Sequence, residues 1–219
     1  MTTNALEAAI PKLSVLAAFY DELHKKNGAT PTGVAWRDED SQFLRFEVLL
    51  QIVSSEDLHK GHATINDLGC GYGALFDYLK DDPLMVGSRY QGYDICESLL
   101  ATAKRRHNDK RAVFSQSMVA TEAADYSFVS GTFNMVADRE DESWRAYICD
   151  SLAHLWRQSK KGLAFNLLDA DQTSSEDRSD GLFYDKPGFY IDFCRQKLDA
   201  KVSLVNDYPL KEWTLLLRK

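Results

Sequence analysis

Leu13, Leu16, Phe19, Tyr20 and Leu23 recur at three- and four-residue spacing, which predicts an amphipathic helix with Pro11 in its first turn and Asn27-Gly28 as its stop. Residues 1–10 read as frayed or helical. A loop with Pro31, Gly33 and Trp36 follows. A second helix is expected from about Asp38 to Val53, with Phe43, Phe46, Leu50 and Val53 on one side.

Beyond this helical cap the pattern alternates. Strand one ends at Asp67, and a helix starts near Gly73. Ser88 to Asp94 reads as a strand, Cys96 to Arg106 as a helix, Arg111 to Ser115 and Tyr126 to Ser130 as strands. Ser143 to Ser159 is helical, with Trp144, Tyr147, Ile148, Leu152 and Leu155 inward, and Leu163 to Leu168 is a strand. Strands alternating with helices predict an α/β fold whose parallel sheet is covered on both faces. The end differs: after a helix from Pro187 to Lys197, Val202–Val205 and Trp213–Leu217 form two strands joined by a short turn, an antiparallel hairpin. The polar stretch Asp169–Lys186, following strand five, has the character of a lid.

The candidate chemistry begins at Asp67-Leu68-Gly69-Cys70-Gly71-Tyr72-Gly73. This turn lies where a strand ends and a helix begins, so backbone N–H groups face outward and a ligand can approach the main chain. Two patterns fit. Gly69, Gly71 and Ala74 satisfy the dinucleotide fingerprint; Asp67, Gly69, Gly71 and Gly73 satisfy D-x-G-x-G-x-G. Electrostatics separates them. A pyrophosphate over the turn is repelled by Asp67, whereas a ligand bearing sulfonium and ammonium groups is attracted. Asp94, at the end of strand two, can accept hydrogen bonds from ribose hydroxyls, or it can cap the next helix with Glu97 three residues on.

These residues resemble motif I and the ribose-binding acid of the class I S-adenosylmethionine-dependent methyltransferases. The resemblance implies a doubly wound seven-stranded Rossmann-like sheet, order 3-2-1-4-5-7-6, with the last strand antiparallel. It implies S-adenosyl-L-methionine as cofactor, with Asp67, Gly69, Cys70, Gly71, Gly73 and Asp94 around it and Ile95 on one face of the adenine. Ser117 and Met118 stand where the family usually has an acid for the adenine amino group; here the Ser117 side chain or the backbone around Met118 takes that place. Ser130, after strand four, falls near the cofactor sulfur. Arg45 is placed to pair with the cofactor carboxylate, or else reaches a surface acid such as Asp38, Glu39 or Asp40. Tyr20, Trp36, Phe133, Asn134 and Tyr184 are candidate substrate contacts. No Asn-Pro-Pro-Tyr motif of amide and exocyclic nitrogen methylation occurs, which favours oxygen as the acceptor atom.

Composition narrows the partners. The 219 residues carry a net charge of −7, against a role in gripping phosphate backbones, and 44% are apolar, enough for a sizeable core. The four cysteines form no CxxC pair, the histidines show no metal spacing, and no apolar run approaches the ~18 residues of a membrane span. The expectation is a cytoplasmic, metal-free enzyme, monomer or homodimer, with one domain over 1–219 divided into a cap (1–58) and a core (59–219). No nucleophile–His–acid set is evident; His24 on the cap helix is a candidate base, and no catalytic residue is assigned. An NAD(P)-dependent oxidoreductase and a non-catalytic S-adenosylmethionine-binding protein remain as alternatives.

Overall fold

The computed structural model describes residues 4–137 and 141–219. Helix α1 (Ala5–Asn27) opens within the stretch read as frayed or helical, because Asn4 caps it by accepting from Leu6 N at 3.1 Å; Pro11 lies inside. The first three residues of the predicted frayed stretch lie outside the described residues. A 3₁₀ turn (Pro31–Val34) leads into α2 (Glu39–Leu50), capped by Asp38, which accepts from Ser41 N. The single helix expected to Val53 ends at Leu50, and Ser54 caps a separate short α3 (Ser55–Lys60).

The core follows as β1 (Thr64–Leu68), α4 (Ala74–Leu79), β2 (Arg89–Asp94), α5 (Glu97–Arg106), β3 (Ala112–Gln116), β4 (Ala124–Val129), α6 (Asp141–Gln158), β5 (Ser159–Asp169), β6 (Tyr184–Asp185), α7 (Pro187–Leu198), β7 (Lys201–Val205) and β8 (Glu212–Arg218). The strands form one sheet in the order β3-β2-β1-β4-β5-β8-β7. The expected order is therefore present, with the hairpin as the sixth and seventh positions and β8 antiparallel to both neighbours. The unforeseen element is β6, two residues pairing parallel with the end of β5. It sits in the Asp169–Lys186 stretch, too short to leave a periodic signal.

Strand alternation sorts the core into two layers. On one face Leu163, Phe165, Trp213 and Leu215 meet Leu13 and Leu16 of α1, Trp144, Ile148 and Leu152 of α6, and Tyr190 of α7. On the other Ile65, Tyr90, Phe128 and Leu216 meet Phe46 and Leu49 of α2, Leu75 and Phe76 of α4, and Leu99 and Leu100 of α5. The parallel strands all end at one edge, the place where ligands bind in open α/β sheets. β8 runs the other way, so its first residue, Glu212, lies at that same edge, opposite Leu168. No helix among the described residues is long and apolar enough to cross a membrane.

Candidate functional site

The glycine turn is closed by two carbonyl and carboxylate anchors from β2. Gly69 N and Cys70 N both donate to Tyr93 O, at 2.7 and 3.0 Å. Gly71 N donates to Asp94 Oδ2 and Cys96 N to Asp94 Oδ1, each at 2.8 Å. Asp94 thus ties the turn to the start of α5, and the capping box with Glu97 does not form; Cys96 is the N-cap. A carboxylate offers about four acceptor positions, so two remain for a ligand.

The glycines differ in what they serve. Gly71 has φ +54°, and a Cβ there meets Val34 at 3.4 Å across the cavity wall; a side chain would reach into the ligand space. Gly73 has φ +86°, but a Cβ there would fall 2.7 Å from His107 Nε2. Gly73 is glycine because the buried His107 ring packs beneath the turn, and it does not line the cavity.

The cavity itself, about 290 Å³, lies over the C-terminal strand edge and under the cap. That is about the lower end for small-molecule pockets, ~300–1,000 Å³. One wall is acidic. Asp67 is buried and accepts a hydrogen bond from the Tyr90 hydroxyl; its pKa is pushed up to about 7, first by burial, with the Asp94 charge adding and Tyr90 opposing. Asp94 is also raised by burial, with the N–H groups of Cys96 and Gly71 opposing. Burial and the same two carboxylates push the Cys70 thiol up, so it stays protonated. Two close carboxylates in a low-dielectric wall favour a cationic ligand. Ile95, Leu99 and Met118 supply an apolar slot beside Asp94.

The roof comes from the cap. Arg45 is 8% exposed yet charged. It pairs with neither a surface acid nor Asp38: Nε donates to Glu212 Oε2 at 2.8 Å and Nη1 to Ser41 O at 2.7 Å. The guanidinium lies 4.0 Å from the Trp36 ring centroid. Trp36 rests on Gly131, where a Cβ would come within 2.1 Å of the indole. Ser130 Oγ and Asn134 Oδ1, both lining the cavity, are buried with no hydrogen-bond partner among the described residues.

The structure brings together Asp67, Gly69, Cys70, Gly71, Asp94, Ile95, Ser117, Met118, Ser130 and Arg45 with Tyr20, Trp36 and Asn134 around this one cavity. Three of the sequence-derived residues stand elsewhere. Gly73 backs onto His107. Phe133 is fully buried in the core, edge-on to Tyr147, because the turn after β4 points it inward. Tyr184 lies on β6, its ring under Arg178 and its hydroxyl accepting from Ser179 N. His24 does not reach the cavity; its ring nitrogens lie at 3.0 Å from Gly28 O and 2.9 Å from Thr102 Oγ1, docking α1 on α5. Sequence reasoning missed Met135, Tyr147, Leu168 and Leu182 as lining residues. Tyr147 carries the helical spacing of a core residue, and Leu182 sits in a polar stretch, so neither signals a site.

This combination, a Rossmann-like sheet with an acidic wall at its glycine turn and an acid at the end of β2, defines an α/β enzyme for a ribose-bearing, cationic cofactor. Residues 66–162 match the Methyltransferase domain family. Over 157 residues the chain is 39% identical to the Mycobacterium tuberculosis protein named Putative methyltransferase Rv1506c, covering 71% of this chain and 93% of that one. The chain belongs to the methyltransferase family. Among solved structures, a SAM-dependent methyltransferase from Leishmania major superposes with TM-score 0.64 at 15% identity, over 93% of this chain and 82% of that one. One from Aquifex aeolicus gives 0.60 at 14%, over 90% and 97%. Magnesium protoporphyrin IX methyltransferase from Synechocystis, with bound SAM, gives 0.57 at 14%, over 82% and 80%. At these identities the likeness concerns the fold, and it is the class I methyltransferase fold. The protein is a class I, S-adenosylmethionine-dependent methyltransferase, and the nicotinamide and non-catalytic alternatives are not favoured.

Proposed function

We propose that this enzyme methylates an oxygen atom of a small molecule that binds between the cap and the strand edge. The observation that carries this reading is the lining of the cavity: it joins apolar Trp36, Met135, Leu168 and Leu182 with Ser130 and Asn134, whose Oγ and Oδ1 are buried without a partner among the described residues. An apolar wall with two orphaned polar atoms suits an acceptor with an apolar body and a hydroxyl to be oriented. The magnesium protoporphyrin IX methyltransferase that shares the fold has a small-molecule acceptor by its name, which supports the class. The acidic chain favours such an acceptor over nucleic acid, and we take cap (1–58) and core (59–219) to act as one unit.

Bound S-adenosylmethionine supplies a methyl group already activated on a sulfonium. Transfer is an in-line displacement, so the protein contributes proximity and alignment. Asp94 would hold the ribose hydroxyls with its remaining lone pairs, and the Asp67 wall would face the cationic amino-acid end. Ile95 and Met118 would sandwich the base. The Ser117 hydroxyl donates to Val119 O and accepts from Val119 N, which leaves one lone pair for the adenine amino group beside the main chain at Met118. Arg45 would meet the carboxylate of the methionine moiety, and Trp36 would close the roof over the acceptor.

Calorimetry with S-adenosylhomocysteine and NADH side by side tests the cofactor; heat with the first and none with the second is expected. Asp94→Ala should weaken S-adenosylhomocysteine about tenfold or more, the loss of charge-assisted hydrogen bonds. A panel of aromatic and aliphatic alcohols, amines and carboxylic acids, with labelled S-adenosylmethionine, tests the acceptor. Label appearing only on nitrogen would overturn the oxygen assignment.

A further inference from the structure

We infer that Glu212 is a positioning residue for the cofactor's amino-acid end: it sets Arg45, and through Arg45 the Trp36 roof, from the first position of β8. This rests on the cofactor reading above and adds a residue that motif I and Asp94 do not reach.

Glu212 is fully buried at the first position of β8, where an unpaired carboxylate would be costly. Its partners explain its presence. Oε2 accepts from Arg45 Nε at 2.8 Å, and Oε1 accepts from the Tyr208 hydroxyl at 3.3 Å. Alternation along β8 turns Glu212, Thr214 and Leu216 toward the α2 layer, so the carboxylate faces Arg45 without distortion. Tyr208 is itself steadied by Thr214 Oγ1 at 2.9 Å.

Arg45 is thereby fixed on three sides. Glu212 holds Nε, Ser41 O holds Nη1, and Trp36 covers one face of the guanidinium. Nη2 makes no hydrogen bond with the described residues, and Arg45 lines the cavity. The guanidinium fork, already aligned, can meet a carboxylate without first losing freedom. The floor at Gly131 is held separately, by Gly131 N donating to Asn166 Oδ1 at 2.8 Å. Burial pushes the Glu212 carboxyl up, and the Arg45 charge and hydrogen bond oppose that shift. One buried carboxylate therefore stands behind the roof at Arg45 and Trp36.

The test compares two ligands that differ in the amino-acid part: S-adenosylhomocysteine, which carries the carboxylate, and 5′-methylthioadenosine, which lacks it. Calorimetry on the full chain is expected to show Glu212→Gln weakening S-adenosylhomocysteine about tenfold while 5′-methylthioadenosine changes less than about twofold. Glu212→Asp keeps the charge but withdraws it from Arg45; it should show the same selective loss and guards against a Gln variant that fails to fold. Arg45→Lys should reproduce the selectivity, and combining it with Glu212→Asp should add little, since both act on one contact. Equal losses for the two ligands, or none, would overturn the inference while leaving the cofactor reading intact. A wild-type protein that binds neither ligand would overturn both.

Discussion

Asp67 stands where an ionised carboxylate is disfavoured, and this makes the site sensitive to pH. Its folded pKa of about 7 lies above the ~3.9 of an exposed Asp. Between those values the folded state keeps a proton that the unfolded state has lost. The stability tied to this group is therefore greatest at low pH, falls as pH rises from about 4 to about 7, and then levels. A cationic ligand against the Asp67–Asp94 wall favours the ionised form. S-adenosylmethionine binding near pH 6.5 is thus expected to release protons and to tighten toward pH 7.5. Calorimetry in two buffers of different ionisation heat reads this directly, and Asp67→Asn should abolish it. Gly131 makes a steric prediction at the same scale. Its φ of +65° and its contact with Trp36 leave no room for a methyl, so Gly131→Ala should cost about 1–3 kcal/mol in chemical denaturation and shift Trp36 fluorescence. Among single residues, Asp67, Gly71 and Asp94 were legible because turn chemistry is local. The packing of Gly73 on His107 was not legible, because His107 comes from the end of another helix.

Elements show the same divide. The alternation of strands and helices, the cap helix and the closing hairpin all follow from period and turn signals within short windows. The break between α2 and α3 and the two-residue β6 are too brief to register. Tertiary docking is less visible still. The Arg45–Glu212 pair joins residues 167 apart in sequence, and nothing local in either segment announces it. β8 is the element with most at stake, since it is buried at nearly every position between β5 and β7. Trp213 illustrates this: fully buried, packed on Phe165 and Tyr190, with its indole N–H donating to Asp185 O at 2.9 Å. Trp213→Ala is expected to lose about 3–5 kcal/mol, a fall in melting temperature of roughly 10 °C. Circular dichroism on heating checks it.

For the whole molecule, the cavity is assembled from distant stretches, a roof from residues ahead of β1 and a floor from the ends of β1, β2, β4 and β5, while β8 braces the roof from behind through Glu212 and Arg45. Ligand binding should therefore stabilise the entire sheet. At 100 times its dissociation constant S-adenosylhomocysteine is expected to add ~2.7 kcal/mol, visible as a rise of about 5–10 °C in scanning calorimetry.

The placement of Glu212 on β8 also bears on when the site comes into being. A nascent chain acquires the glycine turn and Asp94 while barely half of it has been made. Arg45, present earlier still, has no counter-charge until the antiparallel strand slots in beside β5. On the proposed role of Arg45, the grip on the donor's carboxylate is then the last part of the site to be set, and a chain cut short before β8 is expected to carry the signature motif with that end of the site unset.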